Sequence, residues 1–157
     1  MATKDLDQQK ILSIGLPLIK QFEGLRLKPY LCSAGVPTIG YGSTYYEEGR
    51  KVTLQDALIT EVQAVAMLTN IVLKDFLPAV YDLCPTLINE NQAAAILSWV
   101  YNLGVGALRG STLRKKILSC DWAAVPAEIL KWNIAGGHIS VGLKKRREAE
   151  SKLFSTL

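Results

Sequence analysis

One carboxylate in this chain stands where a helix would leave it with unusual chemistry. Ile14, Leu18 and Phe22 recur at helical spacing with Ile19 beside them, and Gly24 follows as a C-terminal cap. A helix from near Ser13 to Phe22 or Glu23 therefore places Glu23 in its last turn, one turn beyond Ile19. The carbonyl ends of a helix oppose a charged carboxylate and favour its protonated form, and partial burial acts the same way. A carboxylic acid that keeps its proton near neutral pH is what general-acid catalysis requires. The competing reading is an ordinary surface glutamate at a frayed helix end.

A second segment, Val36-Pro37-Thr38-Ile39-Gly40-Tyr41-Gly42-Ser43, offers an open surface instead of a charge. Read as a strand, it directs Ile39, Tyr41 and Ser43 to one face and Thr38, Gly40 and Gly42 to the other. A face of one threonine and two glycines lets a ligand approach the backbone closely, with the Thr38 hydroxyl beside it. Glycines also mark bends and bulges, and the pattern alone does not choose.

These residues need a scaffold. The 157 residues suit one domain, 1–157, without room for a second independent unit. From Leu25 to Val52, scattered glycines among Val, Ile, Thr and Tyr predict a small, irregular β-region. Helices follow. Thr53 with Asp56 is a capping-box-like start. The apolar pattern behind it runs through Leu58, Val62, Val65, Leu68, Val72, Phe76 and Leu77 to Pro78, with a break expected near Thr69–Asn70. Asn89 with Gln92 starts another helix, striped by Ile96, Trp99, Val100 and Leu103 and ended by Gly104. Shorter helices are expected over Thr112–Ser119 and Trp122–Trp132, and a last one from about Ser140 to Phe154. The fold class is α+β with segregated elements: a β-lobe of about 25–53, a helical lobe of 1–24 plus 54–157, and a groove between them.

Composition narrows the partners. Lys and Arg number 18 against 14 Asp and Glu, a formal net charge of +4. That modest field suits nucleic acid, membrane surface or bacterial wall. The aromatic interleaving of a nucleic-acid binder is missing. No apolar run is read as reaching the roughly 18–20 residues of a membrane span, so no stable membrane insertion is expected. Residues 1–10, with Lys4, Asp5, Asp7 and Lys10, do not read as a signal peptide. Cys32, Cys84 and Cys120 match no zinc pattern and read as free thiols in a reducing cytosol. No metal or organic cofactor is implied.

Phe22-Glu23-Gly24-Leu25-Arg26-Leu27-Lys28-Pro29-Tyr30, followed by Gly35-Val36-Pro37-Thr38-Ile39-Gly40-Tyr41-Gly42, resembles the N-terminal signature of phage-type lysozymes. Tyr101-Asn102-Leu103-Gly104-Val105-Gly106 resembles that family's central helix end. Lys131-Trp132-Asn133, Gly136-Gly137 and Gly142-Leu143 followed by Arg146-Arg147-Glu148 resemble its C-terminal segment. The resemblance implies a lysozyme-like fold, two lobes joined by a long helix with a cleft between. It implies hydrolysis of the β-1,4 bond between N-acetylmuramic acid and N-acetylglucosamine in peptidoglycan. The family's catalytic Glu falls on Glu23 and its catalytic Thr on Thr38, fifteen residues later. It also implies a monomer made in the host cytoplasm, dependent on a holin, and released to the periplasm and cell wall at lysis.

The family's usual catalytic Asp is replaced here by Cys32, and no carboxylate lies between Glu23 and Thr38. A Cys32 thiolate could stabilise positive charge on the sugar or, with Thr38, position the attacking water for an inverting displacement. Cys32 as a small buried hydrophobe is the alternative; Cys84 and Cys120 read as core. Asn102 and Asn133 are candidate sugar-amide ligands or simple helix caps. Arg147 is the candidate cleft-facing cation within the run Lys144-Lys145-Arg146-Arg147, otherwise a solvated face paired with Glu148 and Glu150. Gly40 and Gly42 complete the substrate-binding candidates. Two other functions stay open: a lytic transglycosylase, which needs one acid/base carboxyl and no water, and a wall-binding protein that has lost its chemistry at Cys32.

Overall fold

The first helix extends further back than its apolar repeat suggests: α1 runs Gln8–Glu23, with Ile11, Leu12, Gly15 and Ile19 buried. Asp7 supplies the earlier start, its carboxylate accepting the Lys10 N–H at 3.2 Å. Pro17 consequently sits inside the helix, where it removes one backbone donor. Gly24 ends it at φ +71°, its N–H reaching the Lys20 carbonyl at 3.1 Å.

The computed structural model describes residues 2–157, which divide into a unit of residues 20–75 and a unit of residues 2–19 with 76–157. In the first, β1 (Arg26–Leu31) pairs antiparallel with β2 (Pro37–Gly40), Tyr30 opposite Thr38 and Leu31 opposite Pro37. The expected strand through Ser43 is corrected. Ile39 and Ser43 exchange both backbone hydrogen bonds at 2.9 Å, so the chain reverses across Gly40 (φ +68°) and Gly42 (φ +89°). Gly40 is buried, and a Cβ there would stand 3.4 Å from the Ala64 Cβ.

The next helix, α2 (Glu61–Ile71), starts later than expected. Thr53 and Asp56 do bond reciprocally, Thr53 N–H to the carboxylate at 2.9 Å and Asp56 N–H to the Thr53 carbonyl at 3.2 Å, but they close only a turn. Beyond it the Ile59 N–H bonds to Leu27 of β1 at 3.0 Å, which holds the chain out of helix. Thr60 and Gln63 then form the true capping box, at 3.1 and 2.8 Å. α2 lies on β2, around a small core of Ile39, Val52 and Met67 with Tyr46 and Ile59 packed against it.

The expected break at Thr69–Asn70 is instead a widened π turn, Val72–Phe76, leading into α3 (Leu77–Leu83). Pro78 explains its place, because a proline at the head of α3 cannot donate to the preceding turn. By length and composition the continuous helix Glu61–Leu83 can cross a membrane, with mean hydropathy 1.3 over 18 residues. This corrects the expectation that no such run exists; Gln63, Thr69, Asn70, Lys74 and Asp75 break the run by eye. One third of that window is buried inside the protein.

In the second unit a short 3-10 turn, Thr3–Asp5, is pinned by Thr3, whose N–H donates to Pro85 at 3.0 Å and whose hydroxyl accepts from Leu87 at 3.0 Å. α4 (Glu90–Leu103) starts at Asn89, which accepts the Gln92 N–H at 2.8 Å, and ends at Gly104. Every residue from Gln92 to Val100 is buried, so α4 is covered on all sides rather than along one stripe. α5 (Val105–Arg109), α6 (Thr112–Leu118) and α7 (Val125–Leu130) follow. α7 is shorter than Trp122–Trp132 because Pro126 fixes its first turn. An unexpected hairpin, β3 (Ile134–Ala135) with β4 (His138–Ile139), turns on Gly136 and Gly137. α8 (Val141–Phe154), capped by Ser140, packs on α4 and α7.

Candidate active site

Glu23 is the last residue of α1. The hairpin that follows holds the other two expected groups. Gly35 N–H bonds to the Cys32 carbonyl at 2.8 Å and Cys32 N–H to the Val36 carbonyl at 3.1 Å, so Cys32 opens the turn between β1 and β2. Thr38 lies on β2 opposite Tyr30. Tyr30 brings the set together. Burial pushes its phenol up, the Arg26 guanidinium 4.7 Å over its ring pulls it down, and the charges of both Glu23 and Cys32 push it up again. Glu23 and Cys32 therefore act on one phenol whose strand partner is Thr38, all within residues 20–75.

The surroundings of Cys32 favour its thiolate, unlike those of a core thiol. Backbone N–H groups of Val36 and Ala34 hold its thiol below the ordinary value, and the Thr38 hydroxyl adds to them against a smaller effect of burial. The side chain is half-buried. Thr38 is 3% exposed, and its hydroxyl donates to the Val36 carbonyl at 2.8 Å. A hydroxyl has one proton. While it goes to Val36, the oxygen's lone pairs are free to accept; with a thiolate beside it, the proton can turn to the sulfur. By contrast Cys84 is fully buried, and desolvation pushes its thiol up to about 12. Cys120 is exposed, against the core role expected of it, at φ +57° in the turn after α6. All three cysteines are free.

The remaining candidates lie in the other unit. Arg147 donates through Nη2 to the Asn102 Oδ1 at 2.7 Å, and its Nε forms an ion pair with Glu150 at 2.9 Å. Arg146 meets the other oxygen of the same carboxylate at 3.3 Å, and the Ser98 hydroxyl donates to it at 2.6 Å. Arg147, Glu150 and Ser98 are fully buried and Arg146 is 3% exposed. The solvated basic face is thus corrected for Arg146, and Arg147, the cleft-facing candidate, is fully buried. Glu150, three and four residues on, supplies the countercharge that lets this side of α8 turn inward. Asn133 is half-buried and its carbonyl accepts the Ser140 N–H at 2.8 Å, closing the β3–β4 hairpin.

A model of the phage lysozyme family matches residues 20–150. The chain belongs to the phage lysozyme family. It is similar to the endolysin of Acyrthosiphon pisum secondary endosymbiont phage 1, 41% identical over 90% of this chain and 95% of that protein. It is also similar to the endolysin of Bacillus phage B103, 37% identical over 93% of this chain, and spans 54% of that longer protein. Among solved structures, the endolysin from Escherichia coli O157:H7 phage FAHEc1 superposes with a TM-score of 0.83 at 33% identity, over 96% of each chain. As a phage lysozyme the chain is a lysozyme-type glycosidase with the α+β lysozyme-like fold.

In this phage lysozyme, Tyr30 and Glu150 are the residues the sequence reading missed. Tyr30 carried only a weak signal, an aromatic two residues before Cys32, which lies past the end of β1. Glu150 was hidden by its likeness to Glu148, which is exposed.

Proposed function

We propose that this phage lysozyme is an endolysin that hydrolyses the β-1,4 bond between N-acetylmuramic acid and N-acetylglucosamine of bacterial peptidoglycan, with Glu23 as general acid. The placing of Glu23 at the end of α1, directly before the hairpin that carries Cys32 at its turn and Thr38 on β2, supports this reading. Glu23 gives its proton to the glycosidic oxygen as the bond to C1 breaks. A water enters from the opposite face of the sugar. Thr38 accepts one of its hydrogen bonds, and the Cys32 thiolate takes its proton. The Cys32 thiol returns that proton through solvent, and Glu23 is recharged, so the net change is one water per bond cut with inversion at C1. Gly40 and Gly42 set the turn behind Thr38, and Asn102, held by the buried Arg147, contacts the polymer. The enzyme works as a monomer, reaching the wall through a holin.

The test is clearing of purified peptidoglycan under reducing conditions by wild type and Glu23→Gln, with mass analysis of products. Expected is clearing by wild type only, at least about 10³-fold faster, with one added water and one reducing end per cut. Anhydro-sugar products would make it a transglycosylase. Binding without clearing would make it a wall-binding protein.

A further inference from the structure

The buried ionic group on α8 ends at a side chain with an unused donor. Arg147 can only donate hydrogen bonds, so the Asn102 atom that meets its Nη2 at 2.7 Å is the carbonyl oxygen. That contact fixes which way round the carboxamide lies. Asn102 is half-buried at the end of α4, and its Nδ2 makes no hydrogen bond among the described residues. Arg147 in turn is held at Nε by Glu150 at 2.9 Å, and Glu150 by Ser98 at 2.6 Å and Arg146 at 3.3 Å. Arg146 also grips the Ser98 carbonyl at 3.0 Å. The links beyond Asn102 are buried and every one is charge-assisted, so the carboxamide has little freedom to flip.

From this we infer that Asn102 Nδ2 is a preset donor for an amide carbonyl oxygen of the wall polymer, and that Glu150 is its positioning residue, acting through Arg147. The inference rests on the peptidoglycan reading above. An amide carbonyl is offered both by the sugar acetamido groups and by the stem peptide. An Asp at 102 still accepts from Arg147 but presents a second oxygen, which repels a carbonyl. Loss of the Glu150 charge lets Arg147 move and frees the carboxamide to flip.

Binding separates this inference from the catalytic one. Affinity of soluble glycan fragments is measured on the Glu23→Gln protein, with and without Asn102→Asp, Glu150→Gln and the double change, using fragments with stem peptides and fragments stripped of them. Asn102→Asp is expected to weaken binding by about tenfold or more. Glu150→Gln should reproduce part of that loss, and the double variant should be no weaker than Asn102→Asp alone. Loss on both fragment types assigns the acetamido carbonyl; loss only with stem peptides assigns the peptide. Additive losses would reduce Glu150 to a structural role and overturn its part. Binding by Asn102→Asp within twofold of its parent overturns the donor. Should Glu150→Gln not fold, Ser98→Ala removes one bond to Glu150 and stands in its place. Failure of wild type to cut peptidoglycan sinks the catalytic reading and leaves these binding outcomes legible.

Discussion

The two units treat charge in opposite ways. In residues 20–75 the polar groups with chemical potential lie on short turns near solvent: Cys32 is half-buried at a hairpin, and Asp56 lies beside Arg50, whose side chain is 56% exposed. Small local donors set their ionisation. In the other unit Glu150, Arg147 and Ser98 are wholly buried beneath α8. There burial pushes the Glu150 carboxyl up, and Arg147, Ser98 and Arg146 pull against it. Reactive groups need exchange with water, whereas a group that only holds others in place is better kept from it. The difference predicts that changes to the polar groups near solvent in the first unit show as a pH response, and that loss of the buried charge in the second shows first in stability.

The largest effect should come from Glu150→Ala. It takes the Glu150 carboxylate away from two buried guanidiniums, a loss of about 3–5 kcal/mol, or roughly 6–20 °C in Tm for a chain of this size. Glu148→Ala, two positions earlier and exposed, should cost less than about 0.5 kcal/mol. Equal melting temperatures for the two would break the comparison. Next is Cys32→Ser, expected to slow peptidoglycan clearing about 100-fold, about 2.7 kcal/mol of transition-state stabilisation, with an unchanged melt. The Cys32 thiol is held below its ordinary value, so activity should rise with pH through a limb lying below about 8.5. Cys32→Asp should keep most activity and move that limb to lower pH. Full activity in Cys32→Ser would remove the sulfur from the mechanism. Gly40→Ala follows, costing about 1–2 kcal/mol, because φ +68° strains any side chain and α2 leaves little room beside Ala64.

What the sequence made legible was local. Glu23 and Gly24 could be placed because an apolar stripe and a C-terminal glycine act within one turn of helix. Asn89 with Gln92 and Ser140 were equally plain as caps. The site's three groups came from the resemblance, and their surroundings were harder to read. Val36–Ser43 reads as a strand because glycine serves both strands and reversals; only the Ile39–Ser43 pairing decides. Thr53-x-x-Asp56 and Thr60-x-x-Gln63 are two capping signals in succession, and the choice is made by Ile59 bonding to Leu27, 32 residues away. The burial of Arg146 and Arg147 depends on α4 lying beneath them, which four consecutive basic residues conceal.

The smallest effect sharpens the contrast most cleanly. Asp56 accepts from the Thr53 N–H at 2.9 Å, the Tyr46 hydroxyl at 2.7 Å and the Thr53 hydroxyl at 2.7 Å, with Arg50 at 3.4 Å. The Thr53 backbone is the strongest influence, and together these hold the carboxyl well below the usual carboxylate range. A carboxylate depressed in the folded state stabilises it above the unfolded value, near pH 4, and loses that contribution as pH falls toward the folded one. Asp56→Asn should therefore melt roughly 2–6 °C lower at pH 7, with the gap constant down to about pH 5 and closing below it. Its clearing rate on peptidoglycan should stay within twofold of wild type. A gap that persists unchanged at pH 2.5 would mean that Asp56 acts through neutral hydrogen bonding, and the turn after Lys51 would then resemble the buried unit more than its own.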